Sequence, residues 1–403
     1  MNMTILYFRI LDFFAEQQAG DVLLDGTKDD ELPVPGLTEV EHQVLRYIRQ
    51  NPGKSRTQLA SDLNLSKAML TKAVANFDKA GLIQEERSQQ ENGERGKPPV
   101  FLSVRSSAFH SIGIYAHRHL CAVVRTDLSG KVHYSSLREM PQEGAVETII
   151  FEVARAMENS PSPIIGIGHA VPAIVGEGGE LFEVTPTQVG LPLVDIAKGL
   201  RSRFKLPVYW ENDAFCSAAY MANGAYAAKR CVFYTTFGFG VGGGAVVKGE
   251  VFRGAFNQAA NIGALIPETG PRPSLTDLAR HLGCELETLS LEHLSALYAE
   301  RDGKLLDWIA DRGPRLSEPF SAAIQFFNPD AIVVGGFLPR EILSALCAEV
   351  TLTGYDISGR RPLTKPVLEV AGLVGPLATA EAASFLPVAQ NLLGQKALIA
   401  APD

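Results

Sequence analysis

Paired cysteines, a membrane-length apolar run and an excess of positive charge are all missing from this chain. Its five cysteines, Cys121, Cys216, Cys231, Cys284 and Cys347, lie far apart and form no C-x-x-C pair. That argues against a disulfide framework and a cysteine-rich zinc site, and fits a protein of the reducing cytoplasm. The apolar start from Met3 to Phe14 contains Arg9 and Asp12, is too short to span a bilayer and lacks a small-residue cleavage site. It reads as a packing helix, with a membrane-surface role as the alternative that its few basic residues disfavour. Composition is otherwise that of a globular protein, with 46% hydrophobic and 20% charged residues in 403, long enough for two or three compact units.

A net charge of -8 excludes a protein that coats nucleic acid, but the charge is unevenly placed. Residues 1–36 carry -5, residues 37–107 carry +3 and the rest carries -6. A single positive stretch inside an acidic protein is the pattern of a small DNA-contacting module.

Residues 15–36 are acidic and rich in turn formers, and read as a linker. From Leu37 the pattern is ordered. Thr38 with Glu41 forms a capping box ahead of Val44, Leu45 and Ile48, and Asn51-Pro52-Gly53 stops that helix. Ser55 caps a second helix carrying Leu59, Ala60 and Leu63. Ser66 caps a third, in which Leu70, Val74 and Phe77 recur at steps of four and three before Gly81. Two strand-like runs, Leu82 to Glu86 and Val100 to Val104, flank a polar turn. Three helices and a hairpin make a winged helix-turn-helix. Its third helix would present Lys67, Met69, Thr71 and Lys72 to the major groove, with Arg95 and Lys97 at the wing tip reaching phosphate or the minor groove. A solvated helix face, or a winged helix that binds protein, is the blander alternative.

Beyond His110 the texture becomes strands alternating with helices, the mark of an α/β fold. Ser111 to Val124 followed by Thr126 to Lys131 reads as a hairpin, and 163–171, 207–210, 231–236 and 331–334 read as buried strands.

Several segments, in order, resemble the ROK family (repressor, open reading frame, kinase). Ser55-Arg56-x-x-Leu59-Ala60 and Leu65-Ser66-Lys67 are similar to its helix-turn-helix, and Ala170 to Val175 (AVPAIV) to its V-P-G-P-V loop. Glu211-Asn212-Asp213-Ala214 is similar to its N-D-A segment, Gly238 to Gly244 to its second phosphate loop, and Val334-Gly335-Gly336 to its nucleotide-side turn. The resemblance spans Leu37 to about Leu393. It implies an actin/hexokinase-like two-lobed α/β body behind the winged helix, DNA contacts from Ser55, Arg56 and Ser66 as well, and assembly as a homodimer or dimer of dimers.

The domains expected are an apolar helix and linker over 1–36, the winged helix over 37–107, a first lobe over 108–225 completed by a helix at about 375–395, and a second lobe over 226–374.

The resemblance also exposes losses. Where the family's kinases carry G-I-D-I-G-G-T, this chain has Gly113-Ile114-Tyr115-Ala116-His117-Arg118-His119, without the metal-holding carboxylate and with bulky groups in place of small ones. His117 and His119 alternate on one strand face, which reads as solvated rather than as a metal pair. Asn261-Ile262-Gly263-Ala264 replaces the family's Glu-x-Gly-His, and residues 265–276 replace its zinc-binding cysteine loop, with Ser274 near the last cysteine position. No metal and no cofactor are expected.

Asp213 stands where the kinases place the base that takes the sugar hydroxyl's proton, with Asn212 beside it. An Asn-Asp pair before a helix also serves as a cap. Asn261, Gln258, His169 and Thr187 are further candidate contacts. The reading is a regulator, most simply a repressor, of an operator in double-stranded DNA, sensing a sugar or polyol without phosphorylating it. The rivals are a sugar kinase that carries a winged helix and a ligand-independent DNA-binding protein.

Overall fold

The capping signals are realised in the first three helices. In the computed structural model, which describes residues 36–87, 100–117, 119–141, 143–176, 180–184, 191–267, 270–353, 355, 364–395 and 399–400, Thr38 and Glu41 complete their capping box at α1 (Glu39–Gln50). Ser55 forms a second box with Gln58 at α2 (Arg56–Asp62), and Ser66 accepts from the Met69 amide at α3 (Lys67–Lys79). Each cap satisfies an otherwise orphaned backbone donor, a contribution of about 1 kcal/mol. Val44, Leu45, Ile48, Leu59, Leu70, Val74 and Phe77 are buried. Strands β1 (Lys54–Ser55), β2 (Ile83–Arg87) and β3 (Val100–Val104) pair in the order β1-β3-β2 and complete a winged helix. The apolar start, the linker, Arg95, Lys97 and Thr187 lie outside the described residues.

Two larger sheets follow. The first has the order β16-β10-β7-β4-β5-β6. Within it β4 (His110–His117), β5 (Leu120–Asp127) and β6 (Val132–Glu139) are antiparallel neighbours, while β7 (Ile164–Val171) runs parallel to both β4 and β10 (Val208–Asn212). Strand β16 (Ile399–Ala400) joins at the edge. Helices α4 (Ala145–Met157) and α5 (Leu193–Phe204) make the crossovers and enclose a core containing Ile112, Ile114, Ile167, Val171 and Trp210. A short hairpin of β8 (Ala173–Val175) and β9 (Leu181–Val184) follows β7.

The hairpin expected near residue 111 is a three-stranded meander. Asp127 Oδ1 accepts from the Ser129 and Lys131 amides and so fixes the turn into β6. The outward polar residues of β6 had concealed it.

The second sheet has the order β13-β12-β11-β14-β15. It comprises β11 (Cys231–Phe237), β12 (Val241–Val247), β13 (Glu250–Val251), β14 (Ala331–Gly336) and β15 (Val367–Val370). Helix α6 (Asp213–Asn223) follows β10, and α7 (Leu275–Leu282), α8 (Leu291–Ala299), α9 (Gly303–Arg312), α10 (Ser317–Phe327) and α11 (Arg340–Ala348) belong to the second half. The chain ends in the long helix α12 (Pro376–Leu392).

Two helices lie between the sheets. Helix α12 packs on the first: a Cβ at Gly113 would meet the Ala380 carbonyl at 1.8 Å, and one at Gly168 the Ala383 carbonyl at 1.9 Å, so only glycine admits the helix so close. Helix α6 packs Ala218 and Ala222 against Val232, Tyr234 and Val246 of the second sheet. Helix α6, which begins at Asp213 after β10, thus carries the chain from the first sheet to the second.

Candidate functional site

A cavity of about 500 Å³ opens beside the end of β10 and the β11–β12 turn. Its floor is set by how β10 becomes α6. Asn212 caps the helix, its Oδ1 accepting from the Ala214 and Phe215 amides at 3.0 and 3.2 Å, while its Nδ2 donates to the Ala173 carbonyl at 3.1 Å. Its side chain therefore holds the helix and the AVPAIV segment together. Asp213 also lines the cavity, and its Oδ1 accepts from the Ala214 amide at 2.8 Å. Burial pushes its carboxyl up to about 6, against backbone hydrogen bonds that pull it down. A carboxyl at that value exchanges a proton near neutral pH, and its charged form is a strong acceptor for hydroxyls.

Of the remaining candidates, Asn261 and Gln258 line the same cavity. His169 does not. It is fully buried in β7, on the face shared with Ile167 and Val171, neither ring nitrogen has a hydrogen-bond partner, and burial lowers it to about 4. A neutral core imidazole fits that setting better than a ligand contact.

Sequence reading passed over Asn257, Thr236, Arg272, Thr276, Asp277, Phe239 and Phe337, which also line the cavity. Asn257 takes a positive φ of 54° and donates to the Val175 carbonyl at 2.9 Å. Arg272 and Asp277 lie at or just beyond the segment that replaces the cysteine loop. Residues 274–276 are held without cysteine: Ser274 caps α7, the Leu275 amide donates to the Gly238 carbonyl at 2.8 Å, and Thr276 Oγ1 donates to the Phe239 carbonyl at 2.7 Å. Asp277 accepts from Trp308 Nε1 at 2.8 Å and Arg312 Nε at 2.9 Å. The zinc that the family resemblance implies does not fit here, since no thiolate is present. Among the described residues no group of three or more His, Cys, Asp or Glu could hold a metal ion.

The opposite wall is built of rings. Tyr115, 1% exposed, meets Phe337 edge-on at 5.1 Å. Phe337 meets Phe239 at 5.6 Å, and Phe239 stacks on His117 at 3.6 Å with planes 13° apart. Two of these rings stand on β4 and two follow β11 and β14, so the cluster joins the sheets at the segments that the resemblance matches to phosphate loops. Burial and the charge of Asp213 hold the Tyr115 phenol above its ordinary range, hence neutral. A neutral phenol cannot supply the metal-holding carboxylate that the family resemblance places at this position in the kinases. The face read as solvated is divided: His117 is buried at 1% exposure, because Phe239 covers it, while His119 is half-buried and paired with Glu287 at 3.0 Å. The glycine-rich stretch is mostly strand. Gly243 lies within β12, where a Cβ would meet the Ala260 carbonyl at 2.4 Å, so it serves packing.

On the winged helix, Lys67, Met69, Thr71 and Lys72 are exposed on α3, opposite the buried Leu70, Ala73, Val74 and Phe77. The Thr71 hydroxyl donates to the Lys67 carbonyl at 2.7 Å. Ser55 and Ser66 accept from backbone amides as caps, and Arg56 is ion-paired with Glu85 of β2.

Comparison with known proteins agrees with this architecture. The ROK family matches residues 111–342 and the MarR family residues 37–93. The uncharacterized protein y4fQ of Sinorhizobium fredii is 29% identical over 348 residues, 83% of this chain and 88% of that protein. The N-acetylglucosamine repressor of Shigella flexneri is 25% identical over 328 residues, 73% of this chain and 79% of its own length. Among solved structures, a ROK family transcriptional regulator described as a homologue of the Escherichia coli MLC protein superposes with a TM-score of 0.62 at 20% identity, covering 89% of this chain and 99% of that one. The winged helix, the two-sheet body and the match over more than half its length together establish that this chain belongs to the ROK family.

Proposed function

We propose that this protein is a DNA-binding transcriptional regulator, acting as a repressor, whose kinase-like cleft senses a sugar or polyol and does not phosphorylate it. One observation carries the reading: Asp213 lines a cavity whose other wall is made by the rings of Tyr115, Phe239 and Phe337, with His117 stacked on Phe239, where the family resemblance implies a phosphate loop with its carboxylate. Asp213 as charged acceptor, with Asn261 and Gln258, offers the polar surface a polyhydroxylated ligand needs. The relative named an N-acetylglucosamine repressor supports the same class of effector. Lys67, Met69, Thr71 and Lys72 meet base edges and phosphates in the major groove, while Ser55, Arg56 and Ser66 hold that helix in place. Two copies present paired recognition helices to an operator with two half-sites. Among the described residues no helix is long and apolar enough to cross a membrane.

The test is selection of the operator from random duplex DNA, followed by gel shift with xylose, glucose, N-acetylglucosamine and polyols. A shift that one of them reverses for the parent protein but not for Asp213→Asn, which still binds the operator, is the expected result. A chain that binds no DNA, or that converts ATP and a sugar to ADP and a sugar phosphate, overturns it.

A further inference from the structure

The first helix of the winged helix is gripped by both halves of the body, and its polar stripe accounts for how. His42, Arg46, Arg49 and Gln50 recur at steps that place them along one side of α1. His42 Nδ1 donates to the Leu392 carbonyl at 2.9 Å, and Arg46 donates to the Leu393 carbonyl through Nη2 at 2.5 Å and Nε at 3.2 Å. Those carbonyls end α12. One turn further along, Arg49 Nη1 donates to the Asn223 carbonyl at 3.0 Å and Gln50 Nε2 to Asn223 Oδ1 at 3.1 Å. That carbonyl ends α6. The last carbonyls of a helix lack intrahelical partners and carry the negative end of its dipole, so cationic donors are the side chains best suited to hold them.

The two helices belong to different halves. Helix α12 rests on the first sheet, over Gly113 and Gly168, and α6 rests on the second, through Ala218 and Ala222. Tyr220 joins them, its ring 6.2 Å from Phe385 and its hydroxyl bonded to Glu381. The other end of α6 is Asp213, in the cavity. The other end of α12 follows Gly375, whose amide donates to the Gly336 carbonyl at 2.7 Å, beside the ring cluster's Phe337. Both helices therefore start at the cleft and finish at α1.

We infer that α1 is a staple across the two halves of the body: a ligand that changes how the sheets close shears α6 against α12, and the shear turns the DNA-reading head. The head's orientation and the closure of the cleft are then one equilibrium, so whatever biases one biases the other. This rests on the cleft being the effector site, but it can be tested without any ligand or DNA.

The experiment is amide hydrogen exchange on the full chain. Gln50→Ala cuts a hold on α6 and His42→Ala one on α12, whereas Arg49 also reaches the Leu128 carbonyl and the Phe385 ring, and Arg46 also pairs with Glu250. Either variant is expected to speed exchange about fivefold or more in Gly238 to Gly243 of the cleft as well as in the last turns of both helices. The double variant should go no further, because a staple opened at one end is already open. Phe337→Ala, which leaves the winged helix untouched, should in turn speed exchange at Ile48 to Asn51. Effects that stay local to each substitution and simply add, or a Phe337→Ala protein whose α1 exchanges as before, overturn the staple. Neither outcome bears on whether a sugar binds.

Discussion

The two walls of the cleft are built of opposite chemistry. The wall built from β10 and α6 keeps a carboxyl at the cavity, held by the Asn212 cap and the AVPAIV segment. The wall built from β4 and the turns after β11 and β14 carries the rings of Tyr115, His117, Phe239 and Phe337, packed on one another. One wall thus offers polar groups to the cavity, and the other joins the two sheets by aromatic packing.

That contrast can be broken or sharpened by mutation, and the ring wall should give the largest effect. Tyr115→Ala removes a buried ring from the junction between sheets and should lower stability by about 3–5 kcal/mol in chemical denaturation. A loss below about 1 kcal/mol would mean the rings fill space without supporting it. On the other wall, Asp213→Asn replaces a charged acceptor with a neutral one and should weaken the effector sugar by about ten- to a hundredfold in calorimetry. Unchanged affinity would take Asp213 out of the site.

The same substitution should make the protein more stable. The folded carboxyl titrates at about 6 against an ordinary value of 3.8. Between those values the native state keeps a proton that the unfolded chain has released, so this group costs stability as pH rises through the window and costs most above it. Asp213→Asn should therefore raise the melting temperature by about a few degrees at pH 7, and not at pH 4. An equal gain at both pH values would point to the helix cap and not to the charge. The smallest effect is expected on the head, where Lys72→Ala should weaken all duplexes alike and reduce the salt slope of binding by about one. A loss confined to one sequence would instead make Lys72 a reader of bases.

The head was legible almost residue by residue, because caps and periodicity are local. Thr38, Ser55 and Ser66 each announce a helix start within three residues of the partner they bond. The cleft was legible only in part, because its contacts join residues far apart in the chain. Tyr115 and His117 read as bulky intrusions, but only the fold shows that Phe239 and Phe337 complete their cluster and bury His117. His169 illustrates the reverse: its place in the fold follows from strand parity, which sets it in the core with Ile167 and Val171. The staple was invisible to pattern alone, since a stripe of His42, Arg46, Arg49 and Gln50 looks like any solvated helix face until α6 and α12 arrive beneath it.

Calorimetric titration of the full chain, with magnesium and a non-hydrolysable ATP analogue in one arm and the panel of sugars and polyols in the other, tests the central claim most directly. A ring-built wall facing a polar one predicts saturable heat from one of the sugars or polyols and none from the nucleotide up to millimolar concentration. Saturable nucleotide binding with no response to any sugar or polyol would contradict it.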